Sequence, residues 1–158
     1  MIKLIRNHCI DSGVTLADGT RVDRLLFQEL LLADSSELKL CYKISQTHIE
    51  LPESSAMRQK VRPAVQLLSQ TVAKALTHKF PEKARHSDFI KTVHSFFDVF
   101  NSRIAFTDKA LRSGYGNSLE EQNAALSKMK TLTETLRVGN NKSLLPFQKG
   151  ILMSINYL

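Results

Sequence analysis

Cysteine is scarce in this sequence, and its two copies are not placed for metal binding. Cys9 and Cys41 stand far apart with no CxxC spacing, so neither a zinc knuckle nor a disulfide framework is indicated. Isolated cysteines of this kind behave as small apolar residues. We therefore expect both side chains to be buried in the core.

Long apolar runs are also missing. No stretch of roughly 18 or more apolar residues occurs, so no membrane-spanning helix is predicted. The opening residues, MIKLIRNHCID, lack the apolar core and the small-residue cleavage site of a signal peptide. These absences predict a soluble, intracellular protein without a membrane partner.

The common short motifs of catalysis and phosphate binding are absent. The sequence contains no HExxH, no GxSxG and no cysteine–histidine pair at ligand spacing, so metal and hydrolytic chemistry have no local support. GNNKS at 139–143 does not satisfy the GxxxxGK[ST] pattern, and Leu144 stands where the guanine-binding NKxD motif requires an aspartate. We therefore predict no catalytic residue, no metal ligand and no P-loop GTPase fold.

The sequence does contain enough apolar residues for a core, together with an excess of positive charge. Its 158 residues, 42% of them hydrophobic, are about one domain. Lysine and arginine outnumber the acidic residues to give a formal net charge of +7, which favours an anionic partner such as nucleic acid, a nucleotide or an acidic surface. Because the charge is spread along the chain, folding has to assemble any anion site.

Two amphipathic segments open the chain. Ile2, Ile5 and Cys9 repeat at helical spacing, and Gly13 is suited to a left-handed cap after them. A second apolar face follows in RVDRLLFQELLL, residues 21–32. We predict a packed helix in each segment.

The next part of the chain combines an irregular segment with a long helical pattern. CYKISQTHIEL predicts a short strand or an extended segment near 39–50, bounded by Pro52. Apolar residues then repeat every three or four positions over 56–79, which predicts one buried helix face. Because proline is tolerated only in a first helical turn, Pro63 predicts that this helix begins near residue 62 or is kinked there.

Another helix is predicted over the aromatic segment SDFIKTVHSFFDVFNSRIAF, residues 87–106. Ser87 is the expected N-cap, and Asp88 suits the positive end of the helix. The predicted inward face comprises Phe89, Val93, Phe96, Phe97, Phe100 and Ile104.

The last part of the chain predicts a loop, a helix and an apolar tail. After the loop at 107–117, Ser118 and Glu121 match a capping box. The face of the following helix comprises Leu119, Ala125, Met129, Leu132 and Leu136, up to a stop at Gly139. The tail is loop-like up to Pro146 and then apolar to its end, which predicts a piece of a larger protein. The predicted fold is a mostly α, single helical domain.

Asp98 and Asn101 place polar groups within the aromatic segment. They are three residues apart and share a helix face, while Phe97 and Asn101, four apart, share an adjoining one. Together these groups could hold a guanine. The aromatic ring could stack on the base, and the carboxylate could accept hydrogen bonds from N1–H and the exocyclic amine. The amide could bind O6 or N7. The alternative is a surface ion pair between Asp98 and Arg103 or a lysine, and spacing alone favours that alternative.

Four separated blocks resemble, in order, the middle region of P-element-type transposases, a group that includes relatives with an N-terminal THAP zinc-coordinating DNA-binding domain. The blocks are KLIRNHCIDSG at 3–13, QKVRPAVQLLSQTVAKAL at 59–76, FFDVFNSR at 96–103 and LLPFQKGI at 144–151. The resemblance covers nearly the whole chain.

The resemblance implies a helical GTP-binding insertion, spanning residues 1–158, within an RNase H-like transposase catalytic domain. GTP would serve as a cofactor that is not hydrolysed and that organises the transposase on transposon-end DNA. Mg²⁺ could bind together with the GTP. The full-length protein would be nuclear and a homo-oligomer. Its catalytic acids would lie outside this chain, with 1–13 and 144–158 near the junctions, so the isolated chain is not expected to cut DNA.

The resemblance also assigns the cofactor contacts. They are Phe97, Asp98 and Asn101 in the FFDVFNSR block, Lys60, Val61 and Ser69 in the KVRPAVQLLS block, and Lys43 in YKIS. Phe97 would stack on the guanine, and Lys60 would lie nearest to the phosphates. The alternatives are a basic helical module that binds DNA or protein and has lost nucleotide binding, and a relic without function.

Overall fold

A computed structural model describes residues 2–35, 39–52, 55–101, 111, 115–116 and 118–157. Within this part of the chain lie seven α-helices: α1 Ile2–Asp11, α2 Arg24–Ala33, α3 Val61–Leu67, α4 Gln70–Lys79, α5 Ala84–Phe100, α6 Leu119–Thr135 and α7 Pro146–Asn156. Short 3-10 turns occupy Gln46–His48, Ala56–Gln59 and Pro81–Lys83. The predicted mostly α fold is confirmed.

A small antiparallel sheet joins the two halves of the chain. Its strands are β1 Val14–Thr15, β2 Arg21–Val22 and β3 Arg137–Val138, in the order β2-β1-β3. The sequence did not predict these strands, because two residues are too few to show an alternating pattern. The strand proposed as one alternative for 39–50 is wrong, since that segment contains turns and a 3-10 turn.

Gly13 ends α1 as predicted. Its φ is +77°, and its N–H donates to His8 O at 3.0 Å. A Cβ atom at this position would lie 2.8 Å from Arg21 Nη2, the end of a flexible side chain that can move aside, so it is the backbone conformation that requires glycine. The turn carries the chain from α1 directly into β1.

The most extensive helix packing in the core is between α4 and α5. The α5 helix also packs against α6, α6 packs against α7, and α1 packs against α3. Both cysteines are buried as predicted, with Cys9 fully buried and Cys41 2% exposed. Burial raises the pKa of Cys9 to about 12 and that of Cys41 to about 11. In the described part of the chain, no helix has both the length and the apolar composition needed to cross a membrane.

The segment 56–79 is not one helix. The α3 helix begins at Val61, so Pro63 lies in the first turn, as the proline rule predicts. The helix ends at Leu67, and α4 begins after Ser69, whose hydroxyl accepts a hydrogen bond from Val72 N–H at 3.3 Å. The prediction of a continuous helix was wrong because Ser69 is the N-cap of a new helix, a position at which serine is common.

The start of α5 also differs from the prediction. The helix begins at Ala84, so Ser87 is an interior residue and not the N-cap. Its buried hydroxyl donates to Ala73 O at 2.8 Å and lies 2.9 Å from Thr77 Oγ1. Ser87 therefore links α5 to α4.

The aromatic face of α5 is only partly inward. Phe89, Val93 and Phe96 are buried, and Phe97 is half-buried against the core. The prediction that Phe100 faces inward was wrong, since 38% of this residue is exposed. The predicted inward residue Ile104 lies outside the described residues.

The α6 helix confirms the predicted element but not its cap. Ser118 precedes the helix, and its side chain makes no capping hydrogen bond within the described residues, so the capping box is wrong. Leu119 is exposed, contrary to its predicted inward position. The remaining predicted positions Ala125, Met129 and Leu136 are buried and Leu132 is half-buried. The predicted loop at 107–117 falls mainly outside the described residues.

Candidate functional site

A cavity of about 350 Å³ lies between the turn that follows α2, the α3–α4 junction and α5. Its lining residues are Cys41, Tyr42, Lys43, Ile44, Val65, Gln66, Ser69, Gln70, Thr71, Val72 and His94. The volume is within the range of about 300–1,000 Å³ that small-molecule sites occupy. Two of the predicted contact residues, Lys43 and Ser69, therefore lie in one cavity.

The cavity wall is rich in hydrogen-bond donors on the side of the α3–α4 junction. The break after α3 places Ser69 and the start of α4 there, and the first N–H groups of a helix have no partner within it. Lys43 adds a cation, with Nζ 5.7 Å from the centroid of the Tyr42 ring. This side of the cavity is suited to an anionic ligand.

Gln66 is a lining residue that sequence analysis missed. Its Oε1 lies 2.9 Å from His48 Nε2. On the other side of the imidazole ring, Ser45 N–H donates to His48 Nδ1 at 3.1 Å, and Ser45 Oγ lies 3.3 Å from the same nitrogen. The buried His48 thus joins the 3-10 turn at Gln46–His48 to α3.

His94 connects the cavity to Asp98. His94 lines the cavity, and its Nε2 lies 3.3 Å from Asp98 Oδ2, with 15% and 16% of the two side chains exposed. Sequence analysis missed His94, although its i, i+4 spacing to Asp98 was a usable signal. Arg103, one of the surface partners considered for Asp98, lies outside the described residues.

Phe97 and Asn101 lie at the end of α5. Phe97 is half-buried against the core, while Asn101 is exposed and forms the C-cap of the helix, its N–H donating to Phe97 O at 2.8 Å. Asp98 lies between them in sequence and is mostly buried beside His94. The three predicted residues are thus neighbours at the end of α5, and none of them lines the 350 Å³ cavity.

Lys60 and Val61 are placed differently from the other predicted contacts. Lys60 is the N-cap of α3 and Val61 its first residue; both are exposed, and neither lines the cavity. Val61 lies one helical turn before Val65, which does line it. These two residues therefore lie at the exposed N-terminal end of α3, outside the cavity.

Arg6 fixes the segment that carries Lys60. This fully buried side chain donates through Nη2 to Met57 O at 2.7 Å and to Arg58 O at 3.1 Å. Burial and the neighbouring Arg58 lower the pKa of Arg6, an effect that Asp11 opposes. Arg58 in turn forms a two-pronged ion pair with Asp11. Helix α1 therefore holds the chain immediately before α3.

A larger groove of about 590 Å³ lies elsewhere, between α5 and α6. Its rim includes ion pairs between Arg85 and Asp18 at 2.8 Å and between Lys128 and Asp88 at 3.2 Å. None of the predicted contact residues lines it. Across the described residues, no cluster of three or more histidine, cysteine or acidic side chains is arranged to hold a metal ion.

The family model described as "TNP-like, GTP-binding insertion domain" matches residues 1–113 of this chain. The chain belongs to this family. The matched range contains the whole 350 Å³ cavity and every predicted contact residue.

A relative and a solved structure extend the similarity over nearly the whole chain. The chain is 35% identical over 163 residues to the transposable element P transposase of Drosophila melanogaster, which covers 98% of this chain and 21% of that protein. It is also similar to a chain in the Drosophila P element transposase strand transfer complex, with a TM-score of 0.85 and 34% identity, over 98% of this chain and 36% of that one. The resemblance to P-element-type transposases is confirmed, and the chain spans about a fifth of this curated relative.

Proposed function

We propose that this insertion domain binds GTP in the 350 Å³ cavity and along the adjoining end of α5. The observation that carries the proposal is the His94–Asp98 contact, because it connects the donor-rich cavity to the only carboxylate predicted to bind guanine. A guanine at Asp98 would thereby share one continuous site with phosphates near Lys43 and Ser69.

Asp98 supplies guanine specificity in this proposal. Each carboxylate oxygen offers two lone pairs, so Asp98 can contact His94 and still accept from N1–H and the exocyclic amine of guanine. Adenine presents no donor at its N1 position, so it would make fewer hydrogen bonds to the carboxylate than guanine does. GTP should therefore bind in preference to ATP.

Phe97 and Asn101 complete the base site. Phe97 offers a ring held against the core, on which a base can stack. Asn101, at the exposed end of α5, supplies an amide for a base or ribose oxygen.

Lys43, Lys60, Val61 and Ser69 are assigned to the rest of the nucleotide. Lys43 and Ser69 lie in the cavity and would contact the phosphates. Lys60 would add positive charge from the start of α3, and Val61 would pack at the edge. Mg²⁺ bound with GTP would be held by phosphate oxygens and water, which is usual for this ion.

The transposase relatives support a proposal about the larger assembly. We propose that the full-length protein is a nuclear DNA transposase that acts on transposon-end DNA as a homo-oligomer, with GTP organising the complex without being hydrolysed. The isolated chain should not cut DNA, because nuclease chemistry of the RNase H-like type requires clustered acidic metal ligands and the described residues hold no such cluster.

Calorimetric titration of the 158-residue chain with GTP and ATP tests the nucleotide proposal. We expect GTP to bind at least about tenfold more tightly, since hydrogen bonds to a charged group contribute roughly 1.5–3 kcal/mol. Equal affinities for the two nucleotides would contradict guanine specificity, and no binding of either would contradict the function.

The net charge of +7 supports DNA binding as a second candidate function. Binding of a basic module to DNA should weaken steeply with salt, because neutralised phosphates release counterions. A salt titration of DNA binding with and without GTP separates the two functions. Salt-sensitive binding that GTP does not change, in a chain that also fails to bind GTP, would favour the DNA-binding module.

A further inference from the structure

The hydrogen bonds around His48 determine which end of the Gln66 amide points away from it. Ser45 N–H is a backbone group that can only donate, and it lies 3.1 Å from His48 Nδ1. Nδ1 must therefore be the accepting nitrogen of a neutral imidazole, which places the ring proton on Nε2.

That proton assignment fixes Gln66. Because His48 Nε2 donates, the Gln66 atom at 2.9 Å must be the carbonyl oxygen, as it is in the structure. The NH₂ group then lies on the opposite side of the amide, and it makes no hydrogen bond within the described part of the chain. Gln66 lines the cavity, so the end of the amide that points away from His48 offers hydrogen-bond donors to a ligand.

We propose that Gln66 is a phosphate-contacting residue of the nucleotide site, held by His48 so that its NH₂ group donates to an oxygen of the bound GTP. This inference rests on the proposed function and adds to it a contact outside the residues assigned so far. The neighbours in the cavity favour phosphate over base, because Lys43 supplies a cation and Ser69 stands at the start of α4. His48 is a positioning residue that acts only through Gln66.

Gln66→Glu is the variant that tests most directly whether the Gln66 NH₂ group donates to phosphate. A glutamate has nearly the same shape and can still accept from His48 Nε2, so the link between the 3-10 turn and α3 is retained. The end facing the ligand becomes an acceptor with negative charge, which repels phosphate. We expect GTP affinity to fall by roughly tenfold or more, while thermal unfolding stays close to that of the wild type.

Gln28→Glu is the matched control. Gln28 is also a half-buried helical glutamine, on α2, and it does not line this cavity. The substitution changes net charge by the same amount, so a general electrostatic effect would appear in both variants. We expect Gln28→Glu to bind GTP as the wild type does.

The test is a calorimetric comparison of GTP and guanosine binding to the wild type and the two variants. A loss confined to GTP and to Gln66→Glu supports the inference. Unchanged GTP affinity in Gln66→Glu, an equal loss in Gln28→Glu, or an equal loss for guanosine would overturn it while leaving the proposed function intact. Failure of the wild type to bind GTP would instead overturn the proposed function, and this inference with it.

Discussion

His94 lies one helical turn before Asp98 on α5, and its Nε2 is 3.3 Å from the carboxylate oxygen Oδ2. The contact holds a mostly buried carboxylate beside the cavity that contains Lys43 and Ser69.

Removal of His94 should weaken GTP binding by releasing Asp98. We expect His94→Leu to lower GTP affinity by roughly tenfold, the scale of one hydrogen bond to a charged group. The control is His86→Leu, which alters another half-buried histidine of α5 that does not line the cavity. Titration of both variants with GTP is the measurement; equal affinity in His94→Leu and the wild type would show that Asp98 needs no support from this ring.

Phe97 and Phe100 allow a matched test of base stacking. Phe97 is assigned to the guanine, whereas Phe100 is partly exposed and its ring packs against Phe96 at a tilt of 46°, with centroids 4.7 Å apart. Phe97→Leu retains an apolar side chain but loses the ring face, so we expect a loss of about 1–3 kcal/mol in GTP binding. Phe100→Leu should bind normally, and similar losses in both variants would contradict the assignment.

Substitutions of Ser87 test where α5 begins. At an N-cap, glycine is nearly as good as serine, but in a helix interior glycine is about 1 kcal/mol worse than alanine. Since Ser87 lies inside α5 and donates to Ala73 O, we expect Ser87→Ala to be destabilised by about 1–2 kcal/mol and Ser87→Gly to be less stable still. Chemical denaturation measures both, and a glycine variant more stable than the alanine variant would place the helix start at residue 87.

His8 should make stability depend on pH. Its ring stacks on Phe147 with centroids 4.6 Å apart, and burial lowers its pKa below the ordinary value of 6.5, with Asp11 opposing and Arg58 adding to the shift. The unfolded chain then binds a proton more readily than the folded one. The contribution of His8 is complete above pH 6.5 and is lost as pH falls through the lowered pKa.

His8→Phe removes this titration and keeps an aromatic ring against Phe147. We expect the variant to lose less stability than the wild type when denaturation is measured above and then below pH 6.5. An identical pH dependence in the two proteins would show that His8 does not contribute.

The sequence predicted the helices better than their ends. Long apolar periodicity identified α1, α2, α5 and α6, because a buried helix face repeats over many residues. The ends depended on single side chains with competing roles: Ser69 caps a helix that periodicity alone would have continued, and Ser87 is buried where a cap was expected. The two-residue strands left no pattern to detect.

The candidate site was predicted in part. The family resemblance directed attention to Asp98, Lys43 and Ser69, and the last two share the cavity. Gln66 was missed because its contact with His48, 18 residues away, is visible only in the fold. His94 was missed although its i, i+4 spacing to Asp98 was a signal in the sequence.

A swap of base preference at Asp98 tests most directly whether guanine binds there. Xanthine carries a carbonyl where guanine carries the exocyclic amine, so an amide at residue 98 can donate to it, whereas a carboxylate cannot. Calorimetry should therefore show that the wild type prefers GTP to xanthosine triphosphate and that Asp98→Asn reverses the preference. An Asp98→Asn variant that retains the wild-type preference for GTP would contradict the placement of guanine at Asp98.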